Sequence, residues 1–523
     1  MLTRPFVIAL RAALVAVLGI FSLHGAAADL RIGVSADITS LDPHHTNIAP
    51  NNNALWHVFE ALTHVDADAR LVPGLAESWR AVDGTTWEFK LRRGVKFHDG
   101  AEFKADDVIA SIERAKRMEA SGGQFAGFVK PIKEAKAVDA LTLRFTTEKP
   151  YAMLPYDLNS LFIISRKAAA AATEDFNNGK FTIGTGPFKL ASFKRGDRVE
   201  LARNDAYWGA KVPWDKASLR ILPTDPARIA ALVTGDVDMI DSIPTADAAK
   251  LKTNANFRLA QKVSWRTLLF HLDQYRDHPP GVTAKDGKPL ATNPFKDIRV
   301  RQAISKALNR TAIAERVMEG FALPASNIVS PPVFGYVKAL IPDPFDPEGA
   351  KKLLADAGYK DGFTLTVAAP NNRYVNDDQI AQAAAQMLAR IGLQVKVETH
   401  PAATYFTKAR NGDFAFALLG WGSFSGDLAL RTLLATPDAA KGYGGWNWGR
   451  HLLPRLDQLL DQGFATTDEK KREAIAIEAA TLALKNYGVI PLHHQIASWA
   501  MKSNLDYAAR TDEFTFAQHV RPR

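Results

Sequence analysis

Gly422-Ser423-Phe424-Ser425-Gly426 has the outer spacing of a nucleophile elbow, but phenylalanine stands where the serine must be, so no nucleophile is presented. The chain has no H-E-x-x-H zinc helix, no G-x-x-x-x-G-K-[ST] phosphate loop and no G-x-G-x-x-G dinucleotide turn. It has no cysteine, which removes disulfides, thiolate metal sites and cysteine nucleophiles. Two histidine pairs, His44-His45 and His493-His494, could serve a metal only by meeting in space. Neighbours on an extended chain point to opposite faces, so neither pair chelates one ion alone; the alternative is surface or hydrogen-bonded histidine. No catalytic residue, metal site or cofactor is expected. The residue type best suited to holding a ligand is Arg373, in the Asn371-Asn372-Arg373-Tyr374 loop between a strand and a helix, where open α/β sheets present ligands. A guanidinium there binds a carboxylate bidentately, unless it is simply a solvated surface arginine.

The elements that must position such residues are legible in the periodicity. Leu30 to Val34 reads as an opening strand. In Trp87 to Arg92, apolar Trp87, Phe89 and Leu91 alternate with Glu88, Lys90 and Arg92, a strand with one buried face. Asp106 and Asp107 suit the start of a helix whose apolar face holds Val108, Ile109 and Ile112. Leu141 to Phe145 alternates again. Val300, Ala303, Ile304, Ala307 and Leu308 form a helical stripe. Asp346 caps a shorter helix begun by Pro347 and ended by Gly358. Strand Phe363 to Val367, a helix capped by Asn376 with Asp377 and Asp378 in its first turn, and strand Val395 to Glu398 make a βαβ unit and hence a parallel sheet.

One long string carries more than pattern. Pro73-Gly74-Leu75-Ala76-Glu77-Ser78-Trp79, Trp87-Glu88-Phe89, Gly94-Val95-Lys96-Phe97 with Asp99-Gly100, and Ala105-Asp106-Asp107-Val108 together resemble the signature of extracytoplasmic solute-binding protein family 5. This is the oligopeptide-, dipeptide- and nickel-binding family of ABC importers. Ser40-Leu41-Asp42-Pro43, Gly184-Thr185-Gly186-Pro187-Phe188 and Arg203-Asn204-Asp205-Ala206-Tyr207-Trp208-Gly209 extend the resemblance. It implies an α/β, two-lobed periplasmic-binding-protein (Venus-flytrap) fold with a third, smaller inserted domain, of the cluster C type. The implied division is 1–28 signal peptide, 29–60, 186–265 and 490–523 lobe 1, 61–185 inserted domain, and 266–489 lobe 2.

The resemblance also implies the site. In relatives that bind peptides, a G-W-x-x-D run supplies the aspartate that pairs with the ligand's ammonium; here Trp421, Gly422 and Ser423 lead to Phe424 instead. An unpaired buried ammonium costs several kcal/mol, so the departure matters. The ligand lacks a free amine, Asp427 substitutes after a loop shift, or another acid reaches in; alternatively Phe424 only packs beneath the loop. In dipeptide-binding relatives an arginine near Arg373 holds the carboxylate. Trp265 and Arg266 at the lobe crossover, with Tyr443, Trp446 and Asn447, are further cleft candidates, whereas Trp499 reads equally as core.

Length favours several domains. The +9 net charge is dispersed, with no nucleic-acid-binding motif, so nucleic acid is not expected as a partner. Arg4 and Arg11, the apolar Ala12 to Leu23 and Ala26-Ala27-Ala28 form a signal peptide cleaved near Ala28, its apolar run shorter than the ~20 residues of a span. Without cysteine there is no lipid anchor, so the expectation is a free periplasmic monomer. It would capture a small solute, peptide or peptide-like, and serve an ABC permease with its ATPase subunits. An opine, oligosaccharide or chelated nickel is the alternative cargo; a secreted hydrolase, or a sensor using the same cleft, is the alternative role.

Overall fold

The computed structural model describes residues 29–119 and 123–523, so the expected signal segment lies outside it. Two long strands carry the architecture. The first, Phe257–Leu272, pairs antiparallel with the second, Val489–Lys502, and the register breaks between Val263 and Thr267. On one side of the break the sheet continues through Met239–Asp241, Asp29–Val34, Lys216–Ile221, Arg198–Arg203 and Phe188–Lys194. On the other side it continues through Phe416–Gly422, Thr364–Pro370 and Gln394–His400. One sheet of twelve strands therefore serves two lobes, and the long strands cross between them where their ladder is interrupted.

Each lobe follows from its sequence. Leu30, Ile32 and Val34 bury into the first lobe, against Leu219 and Met239 from the neighbouring strands. In the second lobe, Thr364–Pro370 and Gln394–His400 pair in parallel around helix Asp377–Ala389, the βαβ unit that the periodicity predicts. Helix Ile298–Ala307 buries Val300, Ala303, Ile304 and Ala307. Asp346 caps Pro347–Asp356, accepting from the Gly349 amide at 2.8 Å, and Gly358 turns out of it at φ +92°.

The predicted cap of the Asp377 helix is different. Asn376 precedes it in a left-handed conformation (φ 55°) and its side chain does not cap. Asp377 instead gathers the amides of Arg373 and Tyr374 at 2.9 and 3.0 Å, which frees the Asn376 amide to reach out of the lobe.

Strands Ala76–Ala81, Thr86–Leu91, Thr142–Thr147 and Ile132–Asp139 form a separate antiparallel sheet, with helix Ala105–Met118 at its edge. Trp87, Phe89 and Leu91 fill its core as the alternation predicts. Glu88, expected in solvent, is buried; Arg80 and Arg144 close over it with ion pairs of 2.8 and 3.0 Å and lower its pKa. Asp107 holds the start of the helix by accepting from Lys104 N at 2.9 Å. Asp42 of the Ser40-Leu41-Asp42-Pro43 turn meets Arg114 in a fully buried pair at 2.7 Å. Among the described residues no helix is long and apolar enough to cross a membrane.

Candidate functional site

Where the ladder breaks, Ser264, Trp265 and Arg266 have no partner on the second strand. The side chains of Ser264 and Arg266 gather around Glu513, from the C-terminal segment, while the Trp265 ring packs edge-on to Phe514 of the same segment at 6.4 Å. Ser264 Oγ donates to Glu513 at 2.7 Å, Gln495 Nε2 at 3.2 Å, and Arg266 through Nε at 3.1 Å and Nη2 at 2.6 Å. Burial alone would raise the Glu513 pKa; the Arg266 charge and these bonds outweigh it and hold it below the usual carboxylate range. Glu513 takes a left-handed backbone (φ 67°), uncommon for a residue with a side chain.

Arg373 stands at the rim of the same region. It is exposed, its guanidinium lies 5.1 Å over the Tyr374 ring, and it makes no side-chain hydrogen bond among the described residues. Partial loss of hydration, then the like charge of Arg266, lower its pKa. Tyr374 lies flat against the strand from the second lobe because Gly420 offers no side chain: a Cβ there would come within 2.6 Å of the ring. Gly422 makes the same room for Trp265, also at 2.6 Å. The glycines of the Gly420-Trp421-Gly422 run thus seat two rings at the crossing.

Phe424 forms an aromatic wall. It stacks on Tyr156 at 5.8 Å with 8° between planes, and lies 6.5 Å from Trp265. The other predicted residues serve elsewhere. Ser423 Oγ bonds the carbonyl of Ser425, a local turn. Asp427 is buried, takes bonds from Ser425 Oγ and Leu428 N, and lies 3.5 Å from Arg472. Trp421 packs on Trp446 at 5.3 Å. Tyr443 bonds Asp461 at 2.8 Å, and Asn447 knits the carbonyls of Ala435 and His451, both within lobe 2.

The histidine pairs do not converge. His44 is buried on the Phe162 carbonyl at 2.8 Å, and His494 meets Thr267 at 2.8 Å. Burial lowers their pKa to about 4 and that of His493 to about 3. Among the described residues no group of three or more histidine, aspartate or glutamate side chains is placed to hold a metal.

Between the lobes lies a small cavity of about 60 Å³, with Asp241, Thr245 and Ser498 on one side together with Phe321, which packs against Ile243 and Ala248 in the same apolar cluster, Val375 from the other, and Glu513 at the crossing. That is room for a few waters and not for a peptide, so a solute of that size enters only if the lobes part. Beside it, Asn376 Nδ2 donates across the cleft to Thr245 Oγ1 at 3.1 Å and within its own lobe to the Val317 carbonyl at 2.7 Å. Sequence reasoning missed Glu513, Asp241, Thr245 and Tyr156. They come from distant, unpatterned segments, and only Glu513 and Ser242, next to Asp241, carry a local sign in their positive φ.

Comparison with known proteins gives this arrangement its context. The family model for bacterial extracellular solute-binding proteins, family 5, matches residues 70–436. The chain is 31% identical to a dipeptide-binding protein of Escherichia coli over 432 residues, 77% of each chain. It is 28% identical to a glutathione-binding protein of Salmonella choleraesuis over 89% of each chain. Among solved structures, a periplasmic DppA of Helicobacter pylori in complex with the peptide STSA superposes with a TM-score of 0.75 at 26% identity, covering 94% of this chain and 98% of that one. AgaA of A. tumefacien, in complex with agropinic acid, gives 0.74 at 25% identity, covering 95% and 99%.

Proposed function

The chain belongs to the bacterial extracellular solute-binding proteins of family 5, and on that premise we propose that it captures a short peptide or peptide-like solute between its lobes and hands it to an ABC permease. The observation that carries this reading is the broken ladder between the two long strands. It puts Trp265, Arg266 and Glu513 between the lobes, with Arg373 free to bind an anion at the rim. No chemistry is performed on the solute; binding and release follow from lobe motion, and ATP is hydrolysed by a separate subunit. Export with removal of residues 1–28 and action as a free monomer in the periplasm complete the proposal.

Phe424 supports a second reading of the cargo, a non-peptide solute such as an opine, because it replaces the amine-binding acid with an aromatic wall. A thermal-shift screen of the purified chain from Asp29 separates these readings. It compares pools of free dipeptides and tripeptides, the same peptides as C-terminal amides, and a set of opines. A ligand at 100 times its Kd stabilises by about 2.7 kcal/mol, a readily measured shift. The expected result is a raised midpoint with free peptides, little with amides, and none with Arg373→Ala. A response to opines alone replaces the cargo; no response to any pool contradicts peptide or opine capture.

A further inference from the structure

Two carboxylates line the interlobe cavity, and they are not equivalent. Glu513 is satisfied: Arg266, Ser264 and Gln495 together occupy both of its oxygens. Asp241, at the end of strand Met239–Asp241, bonds only Ser35, whose amide lies 2.8 Å from Oδ1. It forms no ion pair among the described residues. Arg228 is the cation whose charge reaches it, but Arg228 directs Nη1 and Nη2 to Asp225 and the carbonyls of Leu222, Pro223 and Ser242, its buried Nε has no partner among the described residues, and it makes no hydrogen bond or ion pair to Asp241. The remaining acid weighed from sequence, Asp427, is buried beside Arg472 and does not line the cavity.

We infer that Asp241 receives the cationic end of the solute from the first lobe while Arg373 holds its anionic end from the second, so that the ligand is a short zwitterion. This rests on solute capture in the cleft, and it assigns the amine to an acid far in sequence from the position that Phe424 fills. The residues fit the task. A carboxylate that gives up most of its hydration without a cation is costly, and an entering ammonium supplies the missing partner. Burial pushes the Asp241 pKa up to about 6, which leaves it mostly charged at neutral pH. Thr245 and Ser498 offer further hydrogen bonds, and Ile243, Phe321 and Val375 form apolar walls against which the solute's carbon skeleton packs. Charge read from both lobes also couples binding to closure, since neither lobe alone satisfies both ends of the ligand.

Asp241→Asn tests this in two arms, because asparagine keeps the oxygen that accepts from Ser35. In the ligand-free arm the melting temperature of the variant should equal or exceed that of the unmutated protein, since an uncompensated charge has gone. A drop of several degrees identifies a structural acid and overturns the inference whether or not a ligand is found. In the ligand arm, free dipeptides and tripeptides are compared with the same peptides N-acetylated. The free pool should raise the midpoint of the unmutated protein, the acetylated pool should not, and Asp241→Asn should lower affinity for the free pool at least tenfold. Equal response to both pools, or unchanged affinity in the variant, overturns it. If neither pool shifts the unmutated protein, the peptide reading fails, and the ligand-free arm still decides whether Asp241 is held in place by structure.

Discussion

The rings of Phe424 and Tyr156 lie almost parallel, 5.8 Å apart and 8° from coplanar, and Arg472 sits 4.4 Å over the Tyr156 ring. Tyr156 belongs to the short helix Leu154–Asp157, and Phe424 and Arg472 belong to the second lobe, so this stack joins two parts of the chain far apart in sequence. An aspartate at 424 would forfeit this stack.

Phe424→Ala should therefore destabilise the protein by about 2 kcal/mol through lost burial and lost stacking. Chemical denaturation of Phe424→Ala, Tyr156→Ala and the double variant should reveal a coupling of roughly 1 kcal/mol. Additive effects would show that the rings do not support one another.

The Arg266–Glu513 pair predicts a different signature. Each single change, Arg266→Met or Glu513→Gln, strands a mostly buried charge or its donors and should cost on the order of 3 kcal/mol. The double variant should lose clearly less than the sum. Full additivity in denaturant titrations would mean that the two side chains act independently.

Thr245→Val removes the acceptor for Asn376 Nδ2 and leaves the bond from Asn376 to Val317 in place. The change should cost no more than about 1 kcal/mol of global stability, yet shift the empty protein toward the open form. Small-angle scattering should show a larger radius of gyration for the variant; an unchanged profile would remove this bond from the account of closure.

Glu60 gives a pH prediction. Its carboxyl is buried among Thr185, Tyr207 and Trp208, at 2.8, 2.9 and 2.8 Å, and burial raises its pKa to about 7 despite those donors. Between pH 4.5 and 7 the unfolded chain holds Glu60 ionised while the folded chain holds it protonated. Unfolding then releases a proton, and this group's contribution to stability falls as pH rises through that window. The shift corresponds to roughly 3 kcal/mol. Glu60→Gln keeps the shape without the titration, so stability relative to the unmutated protein should rise with pH across this range. A constant difference between the two would contradict a raised pKa.

Much of the fold is legible in the sequence because local chemistry and tertiary packing agree there. The alternation of Trp87, Phe89 and Leu91, the stripe from Val300 to Leu308, and the βαβ unit around Asp377–Ala389 each bury the predicted face. The pattern misleads at Glu88 and Asn376. Period and capping preference are local, whereas Glu88 is covered by Arg80 and Arg144 from other strands and Asn376 reaches to another lobe. The site is less legible for the same reason. Arg373, Trp265 and Arg266 could be singled out by a loop, a crossing and a family motif. Asp241, Thr245 and Glu513 come together only because two long strands cross, and no spacing along the chain records that meeting.

The central claim, capture of a solute by closure of the two lobes, has a direct test because the chain contains no cysteine. Lys250→Cys and Gln379→Cys place one dye on each exposed face of the helices Thr245–Thr253 and Asp377–Ala389, which flank the cleft from opposite lobes. Single-molecule energy transfer is then recorded with increasing free dipeptide and tripeptide pool. The account predicts two populations, with the high-transfer, closed one growing as peptide is added and losing that response in Arg373→Ala. Peptide that raises the melting temperature while leaving the transfer distribution unchanged would contradict capture by closure.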